Sequence, residues 1–312
     1  MKWKVMVSAP YLKIDLNRFE SWFSEHDMEI FVPTPTERME ERDLLPIIAE
    51  FDGVVCGDDR FTEAVYQKAK KLKVISKWGT GIDSIHKDIA ERYGVKVYNT
   101  PDAFSHPVSD TVLAFMLAFS RNLIVQDEMM KRGHWEKIKG KTLGEQTLGI
   151  IGCGNVGSRV AARAHAFGMR IFAYDPKEVP KAVQEEYGIE QTDLDTLLRD
   201  SDFVSMNCDL NDTSFHILSG RAFDLMKETA VVINTARGSV VDEAALIDAL
   251  KNGKIAGCGL DVYEMEPLPE DSPLRTMKNV ILMPHNSNSS PKHWEKVHIN
   301  TLNNLLKGLE EQ

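Results

Sequence analysis

Residues 148–176 read LGIIGCGNVGSRVAARAHAFGMRIFAYDP, and the spacing inside this stretch decides the fold. A glycine triplet alone says little, so its flanks carry the argument. The preceding residues 147–151, TLGII, form a short apolar run of the kind that lies buried on both faces of a parallel sheet. Downstream, Val156, Val160, Ala161, Ala164 and Phe167 recur at helical spacing, and Gly168 stops the helix. The glycines therefore sit at a strand-to-helix junction. Gly152 permits the tight turn, Gly154 lets the backbone approach a pyrophosphate, and Gly157 lets helix and strand pack closely. Asn155 and Val156 open the helix and belong to the same cofactor-binding set. A second strand over 170–174 ends at Asp175, roughly 20 residues past the turn, where a carboxylate can bond an adenosine ribose and repel a 2′-phosphate. The expected cofactor is NAD.

The chain has 312 residues, with 43% hydrophobic and 27% charged residues, as in a globular protein with a sizeable core. A formal net charge of -10 argues against nucleic acid or anionic membranes as main partners. The basic stretch 68–73, KAKKLK, reads as the solvated end of a helix. Cys56, Cys153, Cys208 and Cys258 are scattered without a Cys-x-x-Cys pair, so neither a disulfide framework nor a metal site is expected. The opening residues MKWKVMVSAP go straight into a strand-like alternation, and the run TVLAFMLAF is too short to span a bilayer. A cytoplasmic location is expected.

Apolar runs at 4–7, 29–32, 53–56, 73–77, 95–98, 148–151, 171–174, 203–206, 231–234, 256–260 and 280–283 alternate with helical patterns. Such alternation predicts an α/β protein, and the number of strands predicts two doubly wound parallel-sheet domains. Pro101 and Pro107 punctuate the chain before a long apolar helix over 108–119, with Pro107 at its first position. A polar, turn-rich break at MPHNSNSSPKHW, residues 283–294, contains Pro291, which opens a terminal helix with apolar Trp294, Val297, Leu302 and Leu305, expected to pack on the first domain. The resulting division is 1–101 plus 285–312 for one domain and 102–284 for the other.

Three further stretches supply chemistry: NTARGSVVDEAAL with Arg237, GLDVYEMEPLPEDSPL with Glu266, and ILMPHNSNSS with His285. Each alone has a structural explanation, as a sheet-edge cap, a solvated acid or a hydrogen-bonded histidine. Arg237 and His285, however, follow apolar strands, and Glu266 lies on the loop after another, which is where open α/β sheets bind ligands. Hydride transfer at a carbinol carbon needs a base with a pKa near neutrality, and histidine fits. A carboxylate fixes its tautomer, and an arginine holds a substrate carboxylate while polarising the adjacent carbonyl.

With these residues in place, the sequence resembles the D-isomer-specific 2-hydroxyacid dehydrogenase family over nearly its whole length. The resemblance rests on Gly152, Gly154 and Gly157, on Asp175, on Ala236-Arg237-Gly238, on Asp261 to Pro267 as Asp-Val-x-x-x-Glu-Pro, and on Pro284-His285. It implies a Rossmann-type NAD-binding domain and a flavodoxin-like substrate-binding domain. It implies Arg237 as substrate anchor, His285 as acid/base, Glu266 as its partner, and Ala236 and Asp261 at the cofactor, Asp261 on the nicotinamide carboxamide. It also implies that backbone amides near Thr80 and Gly81, in KWGTGID, bind the substrate carboxylate.

Relatives acting on formate carry glutamine where this chain has Glu266, which argues against formate. Within the family the GTGID stretch and Lys77 are most similar to D-3-phosphoglycerate dehydrogenases, which implies a phosphate site at Lys77 and Arg60. Phosphoglycerate is therefore the first expected substrate and hydroxypyruvate, glyoxylate or another short 2-oxo acid the second. Asp58 and Asp59 oppose the first, and Asn286-Ser287-Asn288 departs from the family pattern. A redox-sensing corepressor that binds NADH is the alternative from another class. The apolar helix, Trp135 and Ile138 are expected at a homodimer interface.

Overall fold

Every strand of the described residues, 2–34 and 38–311 of this computed structural model, pairs in parallel with its neighbours. In chain order they are β1 (Trp3–Val7), β2 (Met28–Phe31), β3 (Gly53–Cys56), β4 (Val74–Lys77), β5 (Lys96–Tyr98), β6 (Thr147–Ile151), β7 (Arg170–Tyr174), β8 (Ile189–Gln191), β9 (Phe203–Met206), β10 (Val231–Asn234), β11 (Gly257–Leu260) and β12 (Val280–Leu282). They form a five-stranded sheet ordered β2-β1-β3-β4-β5 and a seven-stranded sheet ordered β12-β11-β10-β9-β6-β7-β8. Eleven runs stand where the sequence places them, give or take a residue. The twelfth, β8, is a three-residue edge strand with only Ile189 buried, too short and too polar to announce itself.

The chain divides into one unit of Met1–Phe104 with Ser290–Gln312 and another of Ser105–Ser289. In the first, the Pro291–Glu310 helix returns over β3, β4 and β5. Val297, Leu302, Leu305 and Leu309 are almost wholly buried, each contributing about 1.5–3 kcal/mol. Gly308 allows this approach, since a Cβ there would stand 2.3 Å from Val74.

In the second unit the order reverses at β6. The chain steps outward through β7 and β8, then returns to place β9 on the other side of β6. Crevices at such a switch point are where open sheets bind ligands. The apolar helix runs Ser105–Ser120 and packs on the Asn155–Ala166 helix and on β10. It starts before Pro107, which is therefore its third residue rather than its first. Val112, Leu113, Phe115 and Met116 are buried in the core of this unit, and Gly259 of β11 makes room for Phe115, whose ring would lie 2.7 Å from a Cβ. The exposed apolar side chains lie beyond it: Leu123, Ile124, Val125 and Met130 on the Leu123–Lys131 helix, then Trp135 at 82% exposure. Ile138 is half-buried. No single helix among the described residues is long and apolar enough to cross a membrane.

Candidate active site

After β6 the chain turns at Gly152, whose φ of 88° is left-handed and whose N–H donates to Tyr174 O at 2.8 Å. A Cβ on Gly152 would stand 2.6 Å from Cys208 N, and one on Gly157 only 2.2 Å from Gly152 O. Both glycines are thus required by packing. Gly154 differs: a Cβ there would meet nothing within 4 Å, and as the N-cap of the Asn155–Ala166 helix it offers no side-chain cap. Exposed backbone at an uncapped helix N-terminus fits a pyrophosphate. Asn155 is exposed beside it and Val156 half-buried. At the end of β7, Asp175 accepts the Cys153 N–H on Oδ2 and the Lys177 N–H on Oδ1, both at 2.9 Å. It therefore ties the turn to the neighbouring strand. Burial pushes the Cys153 thiol up, so this cysteine is not a reactive one.

Three residues beyond β12, His285 takes a left-handed backbone with φ of 50° and donates its N–H to Asp261 O at 2.8 Å. Its Nδ1 lies 3.0 Å from Glu266 Oε2, with both side chains about three-quarters buried. Glu266 is fixed in turn by the Tyr263 N–H on Oε1 at 3.0 Å. Asp261 is wholly buried and accepts the N–H groups of Asn286 at 2.7 Å and Ser287 at 2.9 Å, one on each oxygen. Burial pushes its carboxyl up, against the pull of the Ser287 and Asn286 hydrogen bonds and of His285. The carboxamide contact implied for Asp261 thus meets a carboxylate already engaged on both oxygens. What Asp261 visibly does is hold the segment that carries His285.

Arg237 follows β10 half-buried, its Nη1 donating to Ala236 O at 2.9 Å. Asn234, unremarked in the sequence, locks this turn by accepting the Ala236 N–H and donating to Arg237 O at 2.8 Å. Gly238 stands in the Ala-Arg-Gly motif without a role of its own in the sequence, and the structure supplies one. A Cβ there would fall 1.9 Å from Tyr263 C, so the Tyr263–Glu264 peptide rests directly on Gly238. A chain of close contacts therefore runs from the Arg237 turn through Tyr263 to Glu266 and His285. The signal was present as the glycine next to the arginine, but its reason is a contact across 25 residues.

The remaining expected residues belong to the first unit. Lys77 ends β4 with its side chain 5% exposed, pairs with Asp58 Oδ1 at 3.2 Å and donates to Trp78 O. Asp59 is wholly buried and accepts the Ser8 hydroxyl and the Met39 N–H; burial pushes its carboxyl up despite these bonds. Arg60 is exposed, with its backbone N–H on Met39 O. Thr80 donates its hydroxyl to Thr100 O at 2.9 Å and accepts from Asn99, while Gly81 is half-buried. The expected pair of phosphate cations therefore consists of one lysine neutralised by Asp58 and one arginine out at the surface. Among the described residues no group of three or more His, Cys, Asp or Glu side chains is arranged to hold a metal ion.

Residues 113–287 match the family described as D-isomer specific 2-hydroxyacid dehydrogenase, NAD binding domain. A hydroxypyruvate reductase of Thermotoga maritima is 35% identical over 314 residues, covering 99% of each chain. A D-3-phosphoglycerate dehydrogenase of Methanocaldococcus jannaschii is 42% identical over 240 residues, 76% of this chain and 45% of that one. Among solved structures, a D-lactate dehydrogenase from Aquifex aeolicus, complexed with NAD and lactic acid, superposes with a TM-score of 0.85 at 27% identity, covering 96% of this chain and 93% of that one.

Proposed function

Because the chain belongs to the D-isomer specific 2-hydroxyacid dehydrogenase family and is an NAD-dependent oxidoreductase, we propose that it interconverts a short, unphosphorylated 2-oxo acid and its D-2-hydroxy acid, with hydroxypyruvate and glyoxylate first. When bound, the reduced cofactor would supply the hydride for C2. His285 supplies the proton for the oxygen on C2. With Nδ1 bonded to Glu266, that proton leaves from Nε2 in reduction and returns there in oxidation, and the carboxylate stabilises the imidazolium that carries it before reduction and after oxidation. Arg237 holds the substrate carboxylate and polarises the carbonyl, with amides near Thr80 and Gly81 as further donors. Gly152, Gly154, Asn155, Val156, Gly157, Asp175 and Ala236 hold the dinucleotide, while Asp261 acts through the His285 segment.

The observation that carries the substrate class is the Lys77–Asp58 pair. A phosphate needs a net positive site, and here the buried ammonium already has its counter-ion. The reading with a phosphorylated acid is supported by the 42% identity to the archaeal D-3-phosphoglycerate dehydrogenase. NADH oxidation against 3-phosphohydroxypyruvate, hydroxypyruvate, glyoxylate, pyruvate and 2-oxoglutarate separates the two. Hydroxypyruvate or glyoxylate is expected to give the highest kcat/KM, and a preference for the phosphorylated acid would overturn the substrate reading. Binding of NADH without turnover on any acid would instead favour a sensor. The apolar side chains of the Leu123–Lys131 helix and Trp135 are the surface through which we expect two copies to associate, and a monomer by light scattering at micromolar concentration would refute that.

A further inference from the structure

Outside the residues assigned to chemistry, a histidine touches both of the segments that carry Arg237 and Glu266. His216 lies in the loop after β9 with a left-handed φ of 49°. Its backbone N–H donates to Ser239 O at 2.9 Å, two residues past Arg237. Its ring Nε2 lies 2.6 Å from Glu264 Oε1, two residues before Glu266. A carboxylate accepts and cannot donate, so Nε2 carries the proton in this contact. Phe215 stacks on the imidazole with centroids 3.9 Å apart, although the phenyl ring itself is 57% exposed. Glu264 is also gripped from the Glu243–Lys251 helix. The Glu243 N–H donates to the same Oε1 at 3.4 Å, and the Glu264 N–H donates back to Glu243 Oε2 at 3.2 Å. This exchange brings two carboxylates together, and burial together with the Glu264 charge pushes the Glu243 carboxyl up. The His216 N–H is the donor that offsets this crowding of negative charge.

Each contact acts on backbone that leads to a functional side chain. Glu264 is joined to Tyr263, whose N–H holds Glu266 Oε1 at 3.0 Å, and the peptide between them rests on Gly238, next to Arg237. We infer that His216 is a positioning residue for the acid/base pair: its N–H on Glu264 clasps the 263–266 loop against the Arg237 turn and so sets where the Glu266 carboxylate meets His285. The His216 and Glu264 side chains are 31% and 35% exposed, so the pair adds little to stability. Its effect is geometric, because a small misplacement of a reacting group is costly in rate. The inference rests on the reading of His285 and Glu266 as the acid/base pair, and it is independent of which acid is reduced.

The test is the pH profile of kcat/KM for reduction of the acid turned over fastest, measured for the wild type, His216→Leu, His216→Gln, Glu266→Gln and the double variant His216→Leu/Glu266→Gln. Reduction needs the proton on His285, which the Glu266 carboxylate favours, so the rate falls on the alkaline side as that proton is lost. Asp261, the other carboxylate that acts on His285, is the same in every variant. Glu266→Gln removes the charge and is expected to move the alkaline limb to lower pH. His216→Leu should move it the same way by about 0.5 in pH and lower kcat at pH 7 roughly two- to fivefold, the scale of one partly exposed ion pair, with NADH affinity unchanged. His216→Gln keeps an N–H donor without a titrating ring and should restore the limb. In the Glu266→Gln background His216→Leu should move it no further. Glu264→Ala cuts the same contact from the other side, should give the same shift, and takes the place of His216→Leu if that variant does not fold. A profile that falls in height without moving overturns the inference and makes His216 structural only. An undiminished shift on top of Glu266→Gln also overturns it, since His216 would then act by another route. A Glu266→Gln profile that stays in place overturns the acid/base reading itself, and this inference with it.

Discussion

At the carboxyl edge of the five-stranded sheet Lys77, Asp58 and Asp59 already have partners, whereas at the same edge of the seven-stranded sheet two polar side-chain atoms stand buried with none among the described residues. Lys77 faces Asp58, and Asp59 is closed over by Ser8 and Met39. Asn207 and Thr235 have nothing opposite them among the described residues, and Gly154 presents bare backbone. The paired edge fits the proposed function: a small acid offers one carboxylate and a short side chain, and surplus charge beside it would select the wrong molecule.

The two edges also hold their functional side chains differently. On the large sheet the backbone does most of the holding: Asp261 grips the amides after His285, Asn234 locks the Arg237 turn and Gly238 supports the Glu266 loop. On the small sheet side chains share the holding with the backbone: Asp58 pairs with Lys77, and Asp59 takes the Ser8 hydroxyl together with the Met39 N–H.

The largest effect breaks the comparison at the edge we assign to chemistry. His285→Ala is expected to lower kcat by about 10²–10⁴, the range of one positioned acid/base group, while NADH affinity stays near that of the wild type because the glycine turn is untouched. A near-normal rate would remove His285 from the mechanism and leave the large sheet as a binding surface alone. A smaller effect is expected at the other edge. Asp58→Asn uncovers the Lys77 ammonium, and kcat/KM for 3-phosphohydroxypyruvate relative to hydroxypyruvate should rise roughly tenfold, the scale of one charge-assisted contact. If that ratio does not move, Lys77 is a structural cation and the selectivity lies elsewhere.

These two edges were unequally legible before folding. The glycine turn is a local steric requirement, so its spacing over residues 152–157 was enough to place strand, turn and helix. His285, Glu266 and Arg237 were visible because each follows an apolar strand. The Lys77–Asp58 pair was seen as two opposing charges but not as one neutral unit, since that depends on β3 lying beside β4. Gly238 and Asn234 were invisible in role because their reasons lie in contacts made only by the folded chain. Asn207 follows no pattern, and Thr235 lay in the NTARG stretch without a role; a missing partner can be recognised only once every other partner is known.

The smallest expected effect concerns the second buried histidine, and it asks whether the edge of the small sheet is structural where His285 is chemical. His298 is wholly buried, with Nδ1 accepting the Trp78 Nε1–H at 2.9 Å. Its Nε2 lies 3.4 Å from Asp15 Oδ2, near enough for attraction but without hydrogen-bond geometry. Burial, aided by the Arg18 charge, outweighs the upward pull of the Asp15 and Glu295 carboxylates and lowers its pKa below the ordinary value. A folded pKa below the unfolded one means that the unfolded chain takes up the proton first as the pH falls through about 6.5. Stability is therefore held at neutral pH and lost on the acid side, until the pH passes the folded value. His298→Asn keeps an acceptor for Trp78 and removes the titration. From pH 7.5 to 5.5 its thermal midpoint should fall less than that of the wild type, by at most a few degrees, since 1 kcal/mol moves a domain of this size by about 2–4 °C. Turnover should be unaffected. Equal acid slopes would mean that His298 does not titrate differently on folding, and a lost rate would mean that the Trp78 contact reaches the substrate loop after all.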